Sequence, residues 1–80
     1  MNKVEFTKIS TAKIQEKRDM VISRCSKGGY TLAQRVFVKE GNNTTTVYMK
    51  GAIHVDSIDG IVNLRDALNV VIEEASEKNP

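Results

Sequence analysis

The chain has 80 residues, a single cysteine and a net charge of +2, which indicates one small domain without an intrachain disulfide. Its N-terminal segment carries charges where a secretory signal needs an apolar run, and no apolar stretch approaches the roughly 20 residues of a membrane-spanning helix. These features predict a cytoplasmic protein. A domain of this size buries only about 60–65% of its unfolded-chain surface, so we expect a homodimer that enlarges the core.

Charge is distributed unevenly along the chain. Residues 1–55 contain ten Lys and Arg against four Asp and Glu, whereas residues 56–80 contain two cations and six acids. The local balances are therefore +6 and −4. Such segregation favours an anionic partner for the basic part of the chain. Ordinary solvated charge on both parts is the alternative.

The first half of the chain has the pattern of antiparallel strands. Residues 3–10 alternate apolar and polar side chains and predict a first strand. Residues 11–18 fit either a continuation of that strand or a short helical turn, and we favour the strand. Residues 19–26 are β-branched enough for a second strand, and the turn at 26–29 predicts a tight hairpin because paired glycines tolerate positive φ.

Two further strands and a helix are predicted after this hairpin. Residues 30–40 form the clearest strand of the chain, and a turn at 41–43 leads to a fourth strand over residues 44–55. Gly51 in the middle of that strand predicts a bulge or bend that curves the sheet. Residues 58–76 have apolar side chains at steps of three and four, which is the pattern of an amphipathic helix.

The helix should begin after Asp56 or Ser57, either of which can cap it, and residues 77–80 should fray. Its apolar stripe comprises Ile61, Leu64, Leu68, Val71, Ile72 and Ala75. We expect this stripe to cover one side of the sheet. The predicted fold is therefore α+β, a single domain over residues 1–80, with a four-stranded curved antiparallel sheet followed by one C-terminal helix (ββββα).

Strand periodicity assigns the remaining residues to an outward side of the sheet. These residues are Arg35, Phe37, Lys39, Tyr48, Lys50 and His54, with Arg24, Met20 and Ile22 from the second strand. Lys and Arg neutralise phosphates, and an exposed ring offers a stacking surface of about 1–3 kcal/mol per base. This combination favours single-stranded nucleic acid. Alternatively, Phe37, Met20 and Ile22 form a dimer interface with the cations at its rim.

Three segments resemble the PUR repeat of purine-rich-element-binding proteins over about residues 12–75. They are the helix around Leu64–Leu68 in GIVNLRDALNVVIEEA, the segment Ile14–Arg18, and the turn Lys27–Tyr30. The resemblance implies a whirly-like ββββα unit that dimerises and binds single-stranded DNA or RNA across its sheet. It implies nucleic-acid contacts at Lys17, Arg18, Arg24, Lys27, Tyr30 and Arg35.

The chain departs from this family pattern in two ways. Gly29 stands where the family has an arginine after the turn glycine. The chain also has one repeat where many relatives have tandem repeats, so a second chain must supply the partner repeat.

No residue constellation in the sequence is typical of catalysis, of metal binding or of a cofactor site. His54 lacks a second histidine or a nucleophile motif nearby, so we expect a surface residue. Cys25 is expected to be a half-buried strand thiol. Asp56 and Asp59 suit the start of the helix better than a metal ion. We therefore expect no enzyme activity, no metal, no cofactor, no small-molecule substrate and no membrane partner.

The sequence thus predicts a homodimeric protein that binds single-stranded DNA or RNA. The predicted contact residues are Lys17, Arg18, Arg24, Lys27, Tyr30, Arg35, Phe37, Lys39, Tyr48 and Lys50. The alternative is a small protein-interaction regulator or inhibitor without enzyme activity, for example one of mobile-element origin.

Overall fold

An open antiparallel sheet followed by one C-terminal helix forms the chain, which confirms the predicted α+β class. The computed structural model describes residues 3–78. The strands within that range are β1 (Phe6–Gln15), β2 (Arg18–Cys25), β3 (Tyr30–Glu40), β4 (Asn43–Tyr48) and β5 (Ile53–Val55), and the helix is α1 (Ile58–Lys78).

The strand order is β1-β2-β3-β4, and β5 also pairs with β3. β4 lies along the C-terminal part of β3, whereas β5 lies along its first three residues, Tyr30–Leu32. The predicted strand over 44–55 is therefore two strands. Gly51 lies between them at a φ of 94°, a backbone conformation that glycine adopts without steric cost. The bend predicted at Gly51 is confirmed, while the continuous strand is wrong.

The edge strand β1 contains two irregularities. Its register against β2 shifts between Lys8 and Ser10 and again between Lys13 and Gln15. Ile9 and Ile14 are the extra residues at these bulges, which increase local twist. The favoured prediction of a continued strand over residues 11–18 is confirmed only as far as residue 15, where β1 ends; residues 16 and 17 form a turn, and Arg18 begins β2.

Cross-strand pairs define two sides of the sheet, because residues directly opposite each other point the same way. We call one the helix side: Arg18, Met20, Ile22, Arg24, Tyr30, Leu32, Gln34, Val36, Val38, Val47, Ile53 and Val55. We call the other the groove side: Phe6, Lys8, Lys13, Asp19, Val21, Ser23, Cys25, Thr31, Ala33, Arg35, Phe37, Lys39, Thr46, Tyr48 and His54.

The assignment of β2 corrects one prediction. Arg24, Met20 and Ile22 were expected on the outward side, but they lie opposite Tyr30, Gln34 and Leu32 on the helix side. The strand has apolar residues on both sides, since Val21 and Cys25 alternate with Met20 and Ile22. Its own alternation therefore does not select a side, and only the pairing with β3 does.

Helix α1 touches the sheet closely at its first turn. A Cβ at Gly60 would overlap Cγ1 of Val55, so only glycine permits this approach. Further along, α1 stands away from the sheet, and Leu64, Leu68 and Ile72 remain 39%, 55% and 60% exposed. The apolar stripe does face the helix side, but it leaves a cleft instead of a closed core.

The end of α1 also differs from prediction. The helix continues to Lys78, so residues 77 and 78, expected to fray, are helical. Residues 79 and 80 of the predicted frayed tail lie outside the described residues.

The buried core of the described chain is small. Among the described residues, the buried apolar side chains are those of Val21, Cys25 and Leu32. The chain measures 50 × 39 × 18 Å with a radius of gyration of 15.6 Å, compared with about 12 Å for a compact chain of this length. A single copy is therefore a flat layer with large apolar surfaces in solvent.

Candidate nucleic-acid interface

An open groove of about 420 Å³ crosses the side of the sheet opposite α1. Its lining consists of Phe6, Lys8, Ser23, Thr31, Ala33, Tyr48, Met49 and Ala52. Ser23, Thr31 and Ala33 come from the central strands β2 and β3, and their small side chains leave room above the sheet. The groove is within the range of ligand sites in proteins, about 300–1,000 Å³.

Two aromatic rings at this groove are exposed instead of packed. Phe6 is 59% exposed and Tyr48 is 56% exposed. Phe6 stands on β1 opposite Cys25, and Tyr48 ends β4 opposite Arg35. An exposed ring on a strand has a free face that can stack against a planar group, such as an unpaired base of a single-stranded nucleic acid.

Three lysines add positive charge to the groove side. Lys8 lines the groove itself. Lys13 on β1 lies opposite Asp19 on β2, and Lys39, near the end of β3, lies opposite Thr44 on β4. All three side chains are exposed. An ammonium group on an exposed lysine neutralises a phosphate without requiring a particular base.

Arg35 is fixed by its neighbours on the groove side. Its Nη2 donates a hydrogen bond of 2.9 Å to Oδ2 of Asp19, and the two side chains are 19% and 14% exposed. The guanidinium carbon lies 5.4 Å from the centroid of the Phe37 ring, within the range of a cation–π contact. Arg35 thus orders β2 against β3 as well as contributing charge.

The hydrogen bond that Arg35 donates to Asp19 raises the pKa of Arg35 above its ordinary value; burial opposes this rise, and Tyr48 adds a smaller one. Arg35 therefore remains charged, and Asp19 compensates part of that charge. The Nε of Arg35 is buried and makes no hydrogen bond within residues 3–78. Of the cations on this side, the exposed lysines are consequently freer to meet a phosphate than Arg35 is.

The structure separates the predicted contact residues into three groups. Arg35, Phe37, Lys39 and Tyr48 share the groove side, as strand periodicity predicts. Arg18, Arg24 and Tyr30, which the PUR resemblance implies as contacts, lie on the helix side. Lys17 and Lys27 occupy the turns at the two ends of β2, and Lys50 lies in the connection from β4 to β5.

Three groove-side residues were missed by sequence reasoning: Phe6, Lys8 and Lys13. Phe6 and Lys8 are two residues apart in KVEFTKIS, so their shared side was available from alternation alone. Phe6 is one of the apolar side chains in the strand predicted over residues 3–10, and an apolar side chain in a strand is expected to face a core. The side on which Lys13 lies was not predictable. The extra residue Ile9 at the bulge reverses the alternation of sides for the residues that follow it.

His54 lies on the groove side opposite Thr31, and its Nε2 is 3.2 Å from Oδ1 of Asp56. The side chain is half-exposed. Ser57 occupies the position directly before α1.

Comparison with family models, with curated proteins and with solved structures returns no match to this chain. Within residues 3–78, α1 does not have the length and apolar character that crossing a membrane requires. Over the same range, no group of three or more His, Cys, Asp and Glu side chains is arranged to hold a metal ion.

Proposed function

We propose that this protein binds single-stranded nucleic acid, DNA or RNA, through the groove side of its sheet. The observation that carries the proposal is the pair of exposed rings, Phe6 and Tyr48, beside the exposed Lys8 in the lining of one open groove. Lys13 and Lys39 lie on the same side of the sheet. In this proposal the protein is cytoplasmic, acts as a homodimer, and has no enzyme activity.

Chemistry supports a single strand over a duplex. Exposed bases have flat faces that Phe6 and Tyr48 can stack against, whereas a duplex hides those faces in its own stack. Lys8, Lys13 and Lys39 supply phosphate contacts along the same surface.

The groove side is a better candidate surface than the helix side. Arg18 and Arg24 are the cations that β2 contributes to the helix side, and α1 overhangs that side. The segment containing α1 has a balance of −4 over residues 56–80, which repels phosphate at short range. The groove side has four cations, Lys8, Lys13, Arg35 and Lys39, against Asp19 on its paired strands.

Fluorescence anisotropy with short labelled oligonucleotides tests the proposal. Single-stranded DNA, RNA of the same sequence and the matching duplex are titrated with protein at low and at high salt. We expect saturable binding to single strands, weaker binding to the duplex, and an affinity that falls linearly on a log–log plot against salt. Flat titrations with both single strands at low salt would contradict the proposal.

The exposed stripe of α1 also favours a second candidate function, a small regulator that docks on another protein. Leu68, Val71 and Ile72 of the stripe are each at least 55% exposed, and a contiguous exposed apolar surface of this kind is unusual for a monomeric domain. A stoichiometric partner protein that stays bound after nuclease treatment, together with no affinity for oligonucleotides, would favour this candidate over the first.

A further inference from the structure

A row of three polar side chains crosses the groove from strand to strand. Lys8 on β1 lies opposite Ser23 on β2, and Ser23 lies opposite Thr31 on β3. All three residues line the groove. Because residues directly opposite each other in a sheet point the same way, the three side chains meet a ligand in the groove together.

The floor of the groove on either side of this row is apolar. On β2, the groove-side residues before and after Ser23 are Val21 and Cys25, and both are buried. On β3, the groove-side residue after Thr31 is Ala33. The row is therefore the part of the floor where a ligand finds hydrogen-bonding side chains.

The polar groups of this row are free to bind a ligand. Ser23 and Thr31 are half-buried, and neither hydroxyl makes a hydrogen bond within residues 3–78. Lys8 is exposed and forms no ion pair over the same range. Polar groups that are withdrawn from solvent bond to protein, to water or to a ligand, so a bound base can satisfy these hydroxyls.

We propose that this row reads one base of the bound strand, and that Lys8 selects a base with a carbonyl oxygen over adenine. The inference rests on the proposed single-strand binding and adds a preference among bases. An ammonium group donates hydrogen bonds and accepts none. Guanine, cytosine, thymine and uracil each have a carbonyl oxygen that accepts such a bond.

Adenine is the base that suits Lys8 least. Its acceptors are ring nitrogens, and its amino group stands next to both N1 and N7. An ammonium group that approaches either nitrogen therefore meets a second donor at short range. Hydrogen-bonding groups matched to one base edge reject an edge with the wrong donors and acceptors.

Lys8 differs in this respect from the other lysines of the groove side. Lys13 lies opposite Asp19, Lys39 lies opposite Thr44, and neither is in the lining of the groove. Their charge acts on phosphates, which carry no sequence information. Lys8 has three N–H donors, so it can contact a phosphate and a base edge at once.

The two hydroxyls orient the base without choosing it. A hydroxyl donates or accepts, so Ser23 and Thr31 bond equally well to a ring N–H or to a carbonyl oxygen. By holding one polar edge of the base against the floor, they bring its exocyclic group to Lys8. His54 continues the row opposite Thr31, but its Nε2 is 3.2 Å from Oδ1 of Asp56 and it does not line the groove.

Two oligonucleotides that differ at one edge of the base test the inference in anisotropy titrations. One contains only deoxyadenosine, and in the other every third adenine is replaced with hypoxanthine. Hypoxanthine keeps the purine ring but has a carbonyl oxygen in place of the amino group. We expect the wild-type protein to bind the hypoxanthine-containing strand about fivefold or more tightly.

The wild-type titrations separate this inference from the proposed function. Saturable binding of both strands with equal affinity would overturn the base preference and leave single-strand binding intact. Failure of both strands to bind at low salt would contradict the proposed function itself.

Matched lysine variants assign the preference to one side chain. We expect Lys8→Met to bring the ratio of the two affinities close to one, whereas Lys13→Met should weaken binding of both strands and keep the wild-type ratio. Lys8→Arg retains N–H donors and should retain the preference. A wild-type ratio in folded Lys8→Met, or an equal fall of the ratio in Lys13→Met, would overturn the assignment to Lys8.

Discussion

The two sides of the sheet differ in what they expose and in what holds them in place. The groove side exposes rings and lysines but is ordered internally by the Arg35–Asp19 ion pair and the Arg35–Phe37 contact. The helix side exposes aliphatic side chains and has close contact with α1 mainly at Gly60 and Val55. A side with its own polar network is complete in one chain, whereas a side with an open apolar cleft lacks part of its core.

This difference indicates separate duties for the two sides. Exposed lysines are well solvated in water, so the cations of the groove side are stable without a ligand. Exposed aliphatic side chains are unfavourable in water, so any further burial of the helix side would add stability. Substitutions of apolar helix-side residues should therefore change stability, and substitutions of exposed groove-side residues should change ligand affinity.

The largest expected effect is on the helix side, at Leu32, which is 7% exposed. Leu32→Ala removes a buried side chain and leaves a cavity, so we expect the free energy of unfolding to fall by about 2–5 kcal/mol. Urea unfolding at a fixed protein concentration measures the loss. Thr44→Ala, at an exposed position of β4, is the control. A loss below about 1 kcal/mol at Leu32 would mean that the helix side holds no core.

The groove side should respond to loss of a ring through affinity instead. Phe6→Ala removes an exposed ring from the groove, and we expect single-strand binding to weaken by about 1–3 kcal/mol with little change in unfolding. Anisotropy titrations measure the affinity. The control is Tyr30→Ala, which removes a ring from the helix side. A larger affinity loss for Tyr30→Ala than for Phe6→Ala would mean that the ligand binds the helix side and not the groove side.

The substitution Gly60→Ala tests the contact between α1 and β5, because the result depends on whether the variant is more or less stable than the wild type. Alanine favours a helix over glycine by about 1 kcal/mol, so Gly60→Ala would stabilise an unconstrained helix. A Cβ there overlaps Val55, and overpacking typically costs about 1–3 kcal/mol. We expect net destabilisation in thermal or urea unfolding. A more stable variant would contradict the close approach of the helix.

Single lysines should give the smallest effects, visible mainly in salt dependence. Lys39→Ala removes one expected phosphate contact, so the log–log salt slope should become shallower by about 0.7 for a single strand. Arg24→Ala is the charge-matched control on the helix side and should leave the slope unchanged. Equal changes for both variants would indicate binding without a preferred side.

Asp19→Asn should change single-strand binding on the groove side in the direction opposite to Lys39→Ala. The substitution keeps the shape of the side chain but removes the acid that compensates Arg35. Arg35 then becomes available to a phosphate, so we expect tighter single-strand binding and a steeper slope by about 0.7. Circular dichroism confirms that the sheet is intact. Weaker binding in a folded variant would mean that Asp19 positions Arg35 for the ligand.

Much of the fold was predictable from local signals. Strand β3 has the predicted bounds, Tyr30–Glu40, because β-branched and aromatic residues lie between two glycine turns. The start of α1 was predictable from its apolar periodicity. The break at Gly51 was predictable as a bend, but whether one strand or two would pair with β3 depends on register, which periodicity alone does not contain.

The candidate site was predictable only where a strand has one polar and one apolar side. Arg35, Phe37 and Lys39 alternate with aliphatic residues, so their shared side follows from sequence. Arg24 lies in a strand that is apolar on both sides, so pairing with β3 decides its side. The distance between α1 and the sheet was not predictable either, because an apolar stripe indicates burial without naming the chain that buries it.

The most direct test of separate duties is an NMR titration of the ¹⁵N-labelled protein with a single-stranded oligonucleotide. We expect amide shift changes to concentrate at groove-side residues of β1, β3 and β4, including Phe6, Lys8 and Tyr48. Amides of the helix side, such as Arg18 and Arg24, should remain in place. Changes concentrated around Arg18, Arg24 and Tyr30, or no changes anywhere, would contradict the account.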